Sequence, residues 1–371
     1  ARPLAKTLIE NYNQVMLTDP NMAVQALIAQ AEVCEELGNF LLQQGYVQYA
    51  NARGRQEEPP HKAAMEEYVR AIALYERAWD YSLMQEDTPE LAKLSDRAAT
   101  RALELRLGNG DLAFGWALQL HQALPAAISA PKELDRRFQA LDSEVYPALT
   151  AGLAHYKDAQ AMAVKMGLPR LAERARGGLA VPLEPYATDL FGLNQSAWDA
   201  VSTAAFQIVS GVQMSERAAT AVAQWEQLEA AHTQAEVFVP QTVQRSREIL
   251  MALREAHASP ECRTTWENHL LGYFQDYALY CHDVSTKLSG AVEQLKDKQG
   301  NEMMKLQSRL RNISRDLGKQ EYRRLEEAYD LCEELAITSP EADRILERLV
   351  VLNPKEYSTK AETRFGTRQK P

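Results

Sequence analysis

The chain has 371 residues, a formal net charge of −10, 46% apolar and 25% charged residues. That is the composition of a globular protein, and it excludes collagen-like, disordered and membrane-embedded classes. The acidic balance, with a pI near 5.4, opposes sequence-independent attraction to nucleic acid phosphates or an anionic bilayer, so neither is an expected partner.

Glycine at 17 residues and proline at 16 both fall below their usual shares, which removes turn-rich β folds from consideration. No period-2 strand stands out. The longest apolar run, 112–118, is far short of the roughly 20 residues that span a bilayer. The expected class is all-α. Cytoplasmic location is the default expectation, and since residue 1 is alanine, removal of a signal peptide stays open.

In chain order, proline supplies the punctuation. Asp19-Pro20, Thr88-Pro89-Glu90, Ser259-Pro260-Glu261 and Ser339-Pro340-Glu341 each read as a helix start. A polar N-cap precedes proline at the first helical position, where its missing N–H costs nothing, and in three of them a carboxylate follows at the positive end of the helix dipole. Gly108-Asn109-Gly110 reads as a turn between helical segments. Residues 131–167 are expected to form a helix bent or interrupted at Pro147, and 168–193, with Gly177, Gly178, Pro182 and Pro185, a loop or subdomain boundary. Ser196-Ala-Trp-Asp199 resembles a capping box and opens an expected long helix over 195–237, striped by Trp198, Val201, Ala205, Ile208, Val212, Ala219 and Val222 and ended by Pro240.

Beyond Pro260 the pattern sharpens. Leu270, Phe274, Tyr277, Cys281, Val284, Leu288, Ala291 and Leu295 alternate by four and three, the spacing of one apolar seam along a packed helix. A second seam runs Met303, Leu306, Leu310, Ile313 and Leu317, then Tyr322, Leu325, Tyr329, Cys332 and Ala336. The phase breaks at Gln299-Gly300-Asn301, so 260–337 is expected to be a long antiparallel hairpin with its tip at Gly300. Each arm of about 36 residues would reach roughly 54 Å. The expected organisation is a helical module over 1–125 and an elongated, coiled-coil-like bundle over 126–371.

Residues 37–45, Leu-Gly-Asn-Phe-Leu-Leu-Gln-Gln-Gly, followed by Tyr68, Ala71, Ile72, Tyr75 and Ala78, resemble the two helices of a tetratricopeptide repeat. Small residues let the helices approach while aromatic rings fill the groove. The resemblance covers about 50 residues, with about 21 extra between the halves of a repeat that normally runs about 34. Ala342, Leu346, Leu349 and Asn353-Pro354, and Ala328, Cys332 and Leu335, are weaker echoes. The resemblance implies an inner face carrying Glu32, Glu35, Asn39 and Leu42. Families that clamp a peptide carboxylate place lysine where Glu35 stands, so this face would favour a basic or apolar segment, unless its glutamates are simply solvated.

Motifs for chemistry are sparse. HExxH, GxSxG, the P-loop and a strand-led GxGxxG are all missing, so no catalytic residue and no cofactor is expected. Glu229-Ala-Ala-His232 is half of the paired ExxH of di-iron bundles and is read as a surface pair. His257, Glu261, Cys262, His269 and His282 share no helix face, so no metal site is expected. Trp198, Trp225, Trp266, Tyr273, Phe274, Tyr277 and Tyr280 follow core spacing. Cys34, Cys262, Cys281 and Cys332 lack any CxxC and read as buried thiols. The basic run 296–324, nine Lys/Arg against four Asp/Glu, and the tail 355–371, five against two, read as solvated faces.

The function these readings favour is a non-enzymatic helical scaffold or adaptor for protein partners. The alternatives are a secreted helical bundle acting on membranes, in the manner of α-helical pore-forming toxins, and a bundle enzyme whose site is assembled from distant helices.

Overall fold

The computed structural model describes residue 7 and residues 20–52, 58–85, 88–124, 131–179, 183–213, 224–296 and 301–366, and every regular element among them is helical. In chain order these are α1 (Pro20–Asn51), α2 (Lys62–Leu83), α3 (Pro89–Gln122), α4 (Pro131–Ala140), a π-helical segment (Leu141–Val145), α5 (Tyr146–Lys165), α6 (Pro169–Gly177), α7 (Leu183–Gln213), α8 (Trp225–Glu255), α9 (Pro260–Gln294), α10 (Asn301–Glu334), α11 (Pro340–Leu352) and α12 (Pro354–Gly366). None is long and apolar enough to cross a membrane.

The proline phrases open helices as expected. Thr88 Oγ1 accepts from the Leu91 N–H and Ser339 Oγ from the Ala342 N–H, both at 3.3 Å, so each N-cap satisfies one of the four orphan donors of its helix. α1 begins at Pro20, while Asp19 lies outside the described residues. The preceding helices end in a matching way. Gly167, His257 and Ala336 have positive φ (68°, 48° and 50°), and the next N–H reaches back to the carbonyls of Ala163, Leu253 and Cys332 at 2.8–2.9 Å. These are Schellman-type stops, and proline reopens a helix within four residues of each.

The chain forms two compact units. The first comprises 1–123, 142–185 and 251–259, the second 124–141, 186–250 and 260–371. The chain thus leaves the first unit at 123/124, and α5, α6 and the end of α8 return to it.

In the first unit α1–α2, α2–α3, α3–α5 and α5–α6 pack as successive neighbours. Val24, Leu27, Ile28, Ala31 and Cys34 of α1 meet Ala71, Tyr75 and Ala78 of α2 and Leu91, Ala98 and Ala102 of α3 in one core. In the second unit, α9 and α10 are the arms of the expected hairpin, of 35 and 34 residues. All eight residues of the first seam are buried, as are Leu306, Leu310, Ile313, Leu317, Leu325, Tyr329 and Cys332 of the second. Each aliphatic side chain so buried contributes about 1.5–3 kcal/mol. The expected tip, Gly300, lies outside the described residues.

Several local expectations are corrected. Gly108-Asn109-Gly110 is not a turn but lies inside α3. A Cβ at Gly110 would overlap the Tyr156 ring, and one at Gly152 of α5 would overlap Phe114, so these glycines let α3 and α5 close on each other's rings. Gly45, the last residue of the repeat-like segment 37–45, also lies inside α1, and a Cβ there would strike the Pro60 carbonyl. The single helix 195–237 is two, α7 and α8. Ser196 sits within α7 and donates to the Gly192 carbonyl at 2.9 Å, and Ala219 and Val222 lie outside the described residues. Pro240 does not end α8 but lies within it. Its own side chain is exposed, while Phe238, Val239, Ile249, Leu250 and Leu253 bury the helix on both sides, and that packing outweighs the lost ladder bond. The interruption at Pro147 falls one turn earlier, as the π segment Leu141–Val145. Ala336 ends the helix in the left-handed region, exposed rather than on the seam.

Candidate functional site

The face suggested by the repeat resemblance is engaged within the first unit. Glu35 is buried and accepts from Tyr75 Oη at 3.1 Å and Arg101 Nε at 3.0 Å, with Arg101 Nη2 closing a forked pair. Glu32 pairs with Arg97, Asn39 Oδ1 accepts from Tyr68 Oη at 2.8 Å, and Leu42 is half-buried. Arg97 and Arg101 therefore offset the two carboxylates whose charge suggested a basic partner. Burial, then the Glu35 charge, raises the Tyr75 hydroxyl pKa, so Tyr75 remains a donor to Glu35. Arg97 and Arg101 stand on α3, too far along the chain for the repeat-like segment to announce them.

A concave feature of the first unit is built from other residues. A groove of about 810 Å³ runs between α2 and its approach (Pro59, His61, Met65, Val69), α3 (Ala113, Trp116) and the start of α5 (Pro147, Ala148, Ala151, His155). Lys62, Glu66, Arg70 and Glu144 also line it, two charges of each sign. Lys62 is paired with Glu58 and Arg70 with Glu67. Val69 is 52% exposed although apolar, whereas His61 is only 3% exposed. The His61 ring stands edge-on to Trp116, and its Nδ1 is buried with no hydrogen-bond partner among the described residues. Burial lowers the His61 pKa to about 4, and burial also lowers that of His155. At neutral pH both imidazoles are uncharged, and the groove combines apolar walls with a few charged side chains at Lys62, Glu66, Arg70 and Glu144. That is the usual make-up of a binding site. Sequence reading missed it because its residues come from three helices and share no local spacing.

In the second unit the aromatic residues are core, as their spacing indicates. Trp198 lies 5.2–5.6 Å from the rings of Tyr273, Tyr277 and Tyr280, and Phe191 stands against Trp266 and Tyr273. A polar thread crosses them. Asn194 Nδ2 donates to Thr242 Oγ1 at 2.7 Å and its Oδ1 accepts from Tyr273 Oη at 3.0 Å. Tyr277 Oη donates to Glu236 Oε1 at 3.1 Å. Burial above all pushes the Tyr277 and Cys281 pKa values up, so both stay protonated. All four cysteines are buried and free, with no thiolate poised for chemistry.

The histidine cluster is not assembled as one group: His269 faces the Phe191 ring and His282 Nδ1 lies 3.3 Å from Glu321. Within Glu229-Ala-Ala-His232, Glu229 accepts from the Trp225 indole N–H at 3.2 Å, and the acidic neighbours of His232 are instead Glu236 and Asp316.

No protein-family model matches the chain, and no curated protein is significantly similar to it. Among solved structures it is similar to a chain from the computational design of self-assembling cyclic protein homooligomers, at 11% identity over 88% of this chain and 96% of that one, with a TM-score of 0.23. It is also similar to a circular tandem repeat protein with novel repeat topology and enhanced subunit contact surfaces, at 15% identity over 98% of this chain and 88% of that one, with a TM-score of 0.22. At these scores neither likeness carries an argument about arrangement or function.

Proposed function

We propose that the chain is a non-enzymatic helical scaffold whose first unit receives an apolar, helical segment of a protein partner in the groove between α2, α3 and α5. The observation that supports this reading is the combination within that groove of the exposed Val69 with the small residues Ala148 and Ala151. An amphipathic helix laid into such a groove buries apolar residues at i, i+3, i+4 and i+7. The α1–α2 pair is read here as a tetratricopeptide-like hairpin with a lengthened connection. Its paired glutamates shift the expected partner from basic to apolar.

Selection of helical peptides from a random library against the full chain tests this. Selected peptides should lose at least about tenfold in affinity, about 1.4 kcal/mol, on Val69→Asp or Ala151→Trp, and keep it on Phe206→Asp, an exposed site in the second unit. No enrichment, or affinity indifferent to Val69→Asp, overturns the reading.

A further inference from the structure

We infer that the second unit carries a divalent transition-metal site formed by His232 and Glu236 of α8 and Asp316 of α10. His232 and Glu236 are four residues apart, so they project from one face of α8. One ligand atom from each of the three residues lies within 4.8 Å of the others. His232 Nε2 is 3.9 Å from Asp316 Oδ2, too long for a hydrogen bond. Two ligands on a common zinc ion, at bonds of about 2.1 Å, stand about 3.4 Å apart in tetrahedral geometry. The gap therefore closes around an ion with small side-chain rotations.

The charge distribution points the same way. Neither carboxylate has a lysine or arginine at ion-pair distance among the described residues. The nearest basic side chain to Asp316 is the imidazole of His232, and Glu236 accepts from Tyr277 Oη at 3.1 Å and, weakly, from Gln320 Nε2 at 3.5 Å. Beside them are two orphaned buried atoms, His232 Nδ1 and Gln320 Oε1. Gln320 follows Asp316 by one turn on α10, so it stands on the same face and supplies a fourth donor. Imidazole nitrogen with carboxylate and amide oxygens suits zinc or manganese more than calcium, which takes six to eight oxygens. The site joins α8 to α10 and acts as a clamp within this unit. Its local sequence signal, His-x-x-x-Glu, was overshadowed by the neighbouring Glu-x-x-His.

The test uses the full chain freed of metal with chelator, titrated with Zn(II) by calorimetry and with Co(II) by visible absorbance. One zinc per chain is expected, with a rise in melting temperature and a Co(II) spectrum. Asp316 is 51% exposed at its side chain, so Asp316→Asn should leave the melting of the metal-free protein unchanged while weakening zinc at least about tenfold, as even loss of an outer-sphere partner does. Asp316→His should retain binding, and His232→Gln should abolish the Co(II) spectrum. Absence of stoichiometric zinc binding, or zinc affinity unaltered by both Asp316→Asn and His232→Gln, overturns the assignment.

Discussion

The two units solve the problem of packing long helices in opposite ways. In the first, rings lie on glycines: Tyr68 on Gly38, Tyr156 on Gly110 and Gly178, Phe114 on Gly152. In the second, large side chains interlock: Trp198 against three tyrosines, Phe138 stacked on Phe238 at 4.1 Å between centroids, and the long α9–α10 seam. Ring-on-glycine packing draws particular helix pairs close and leaves a groove beside them. Interlocked seams bury large side chains together with polar threads that need internal partners, although a concavity of about 780 Å³ also opens between α7 and α8 in the second unit.

The largest expected effect breaks the second unit. Leu310→Pro removes a ladder bond in mid-α10 and empties a fully buried seam position, a cost of about 3 kcal/mol or more from the backbone alone. Circular dichroism should show lost helicity and an early melting transition. An unchanged melt would mean that the seam contributes little.

A smaller effect tests the first unit's packing. Gly110→Val drives a branched side chain into the Tyr156 ring and should cost about 2–3 kcal/mol. Gly108→Ala, two residues away with nothing within 4 Å of a built Cβ, should instead stabilise by up to about 1 kcal/mol. Denaturant midpoints that move in opposite directions for the two variants confirm that Gly110 is a contact and Gly108 is not. Equal shifts would place the glycines back in the category of tolerated helix interruptions.

The same contrast explains what the sequence could announce. The α9–α10 seam is a local period of four and three, and the N-cap phrases are local chemistry, so both are legible from one chain. Gly108-Asn109-Gly110 was misleading because the meaning of Gly110 depends on the Tyr156 ring, 46 residues away in sequence and in contact only when folded; a glycine pair signals a turn until the ring that covers it is known. Pro240 misled for a related reason, since tertiary burial on both sides of it sustains a helix that propensity alone would end. Glu35 looked like a partner-facing charge because Arg101 stands 66 residues away in sequence. The groove and the His232–Glu236–Asp316 set share that property: their members meet only through tertiary packing.

The mildest test addresses the groove through His61. Its pKa in the fold is about 4, lowered by burial from an ordinary 6.5. Between these values the unfolded chain binds more protons than the folded one, so stability is fully present above about pH 7 and falls as pH drops from 6.5 towards 4, levelling off below. At 1.36 kcal/mol per unit, discounted because water reaches the groove, the loss is on the order of 2 kcal/mol. His155 shifts in the same direction and should leave a shallower residual slope when His61→Phe removes the larger part. Urea midpoints of both proteins at pH 7.5, 6 and 5 read this directly. A wild-type midpoint flat over that range would mean that the His61 ring is hydrated and not sealed against Trp116.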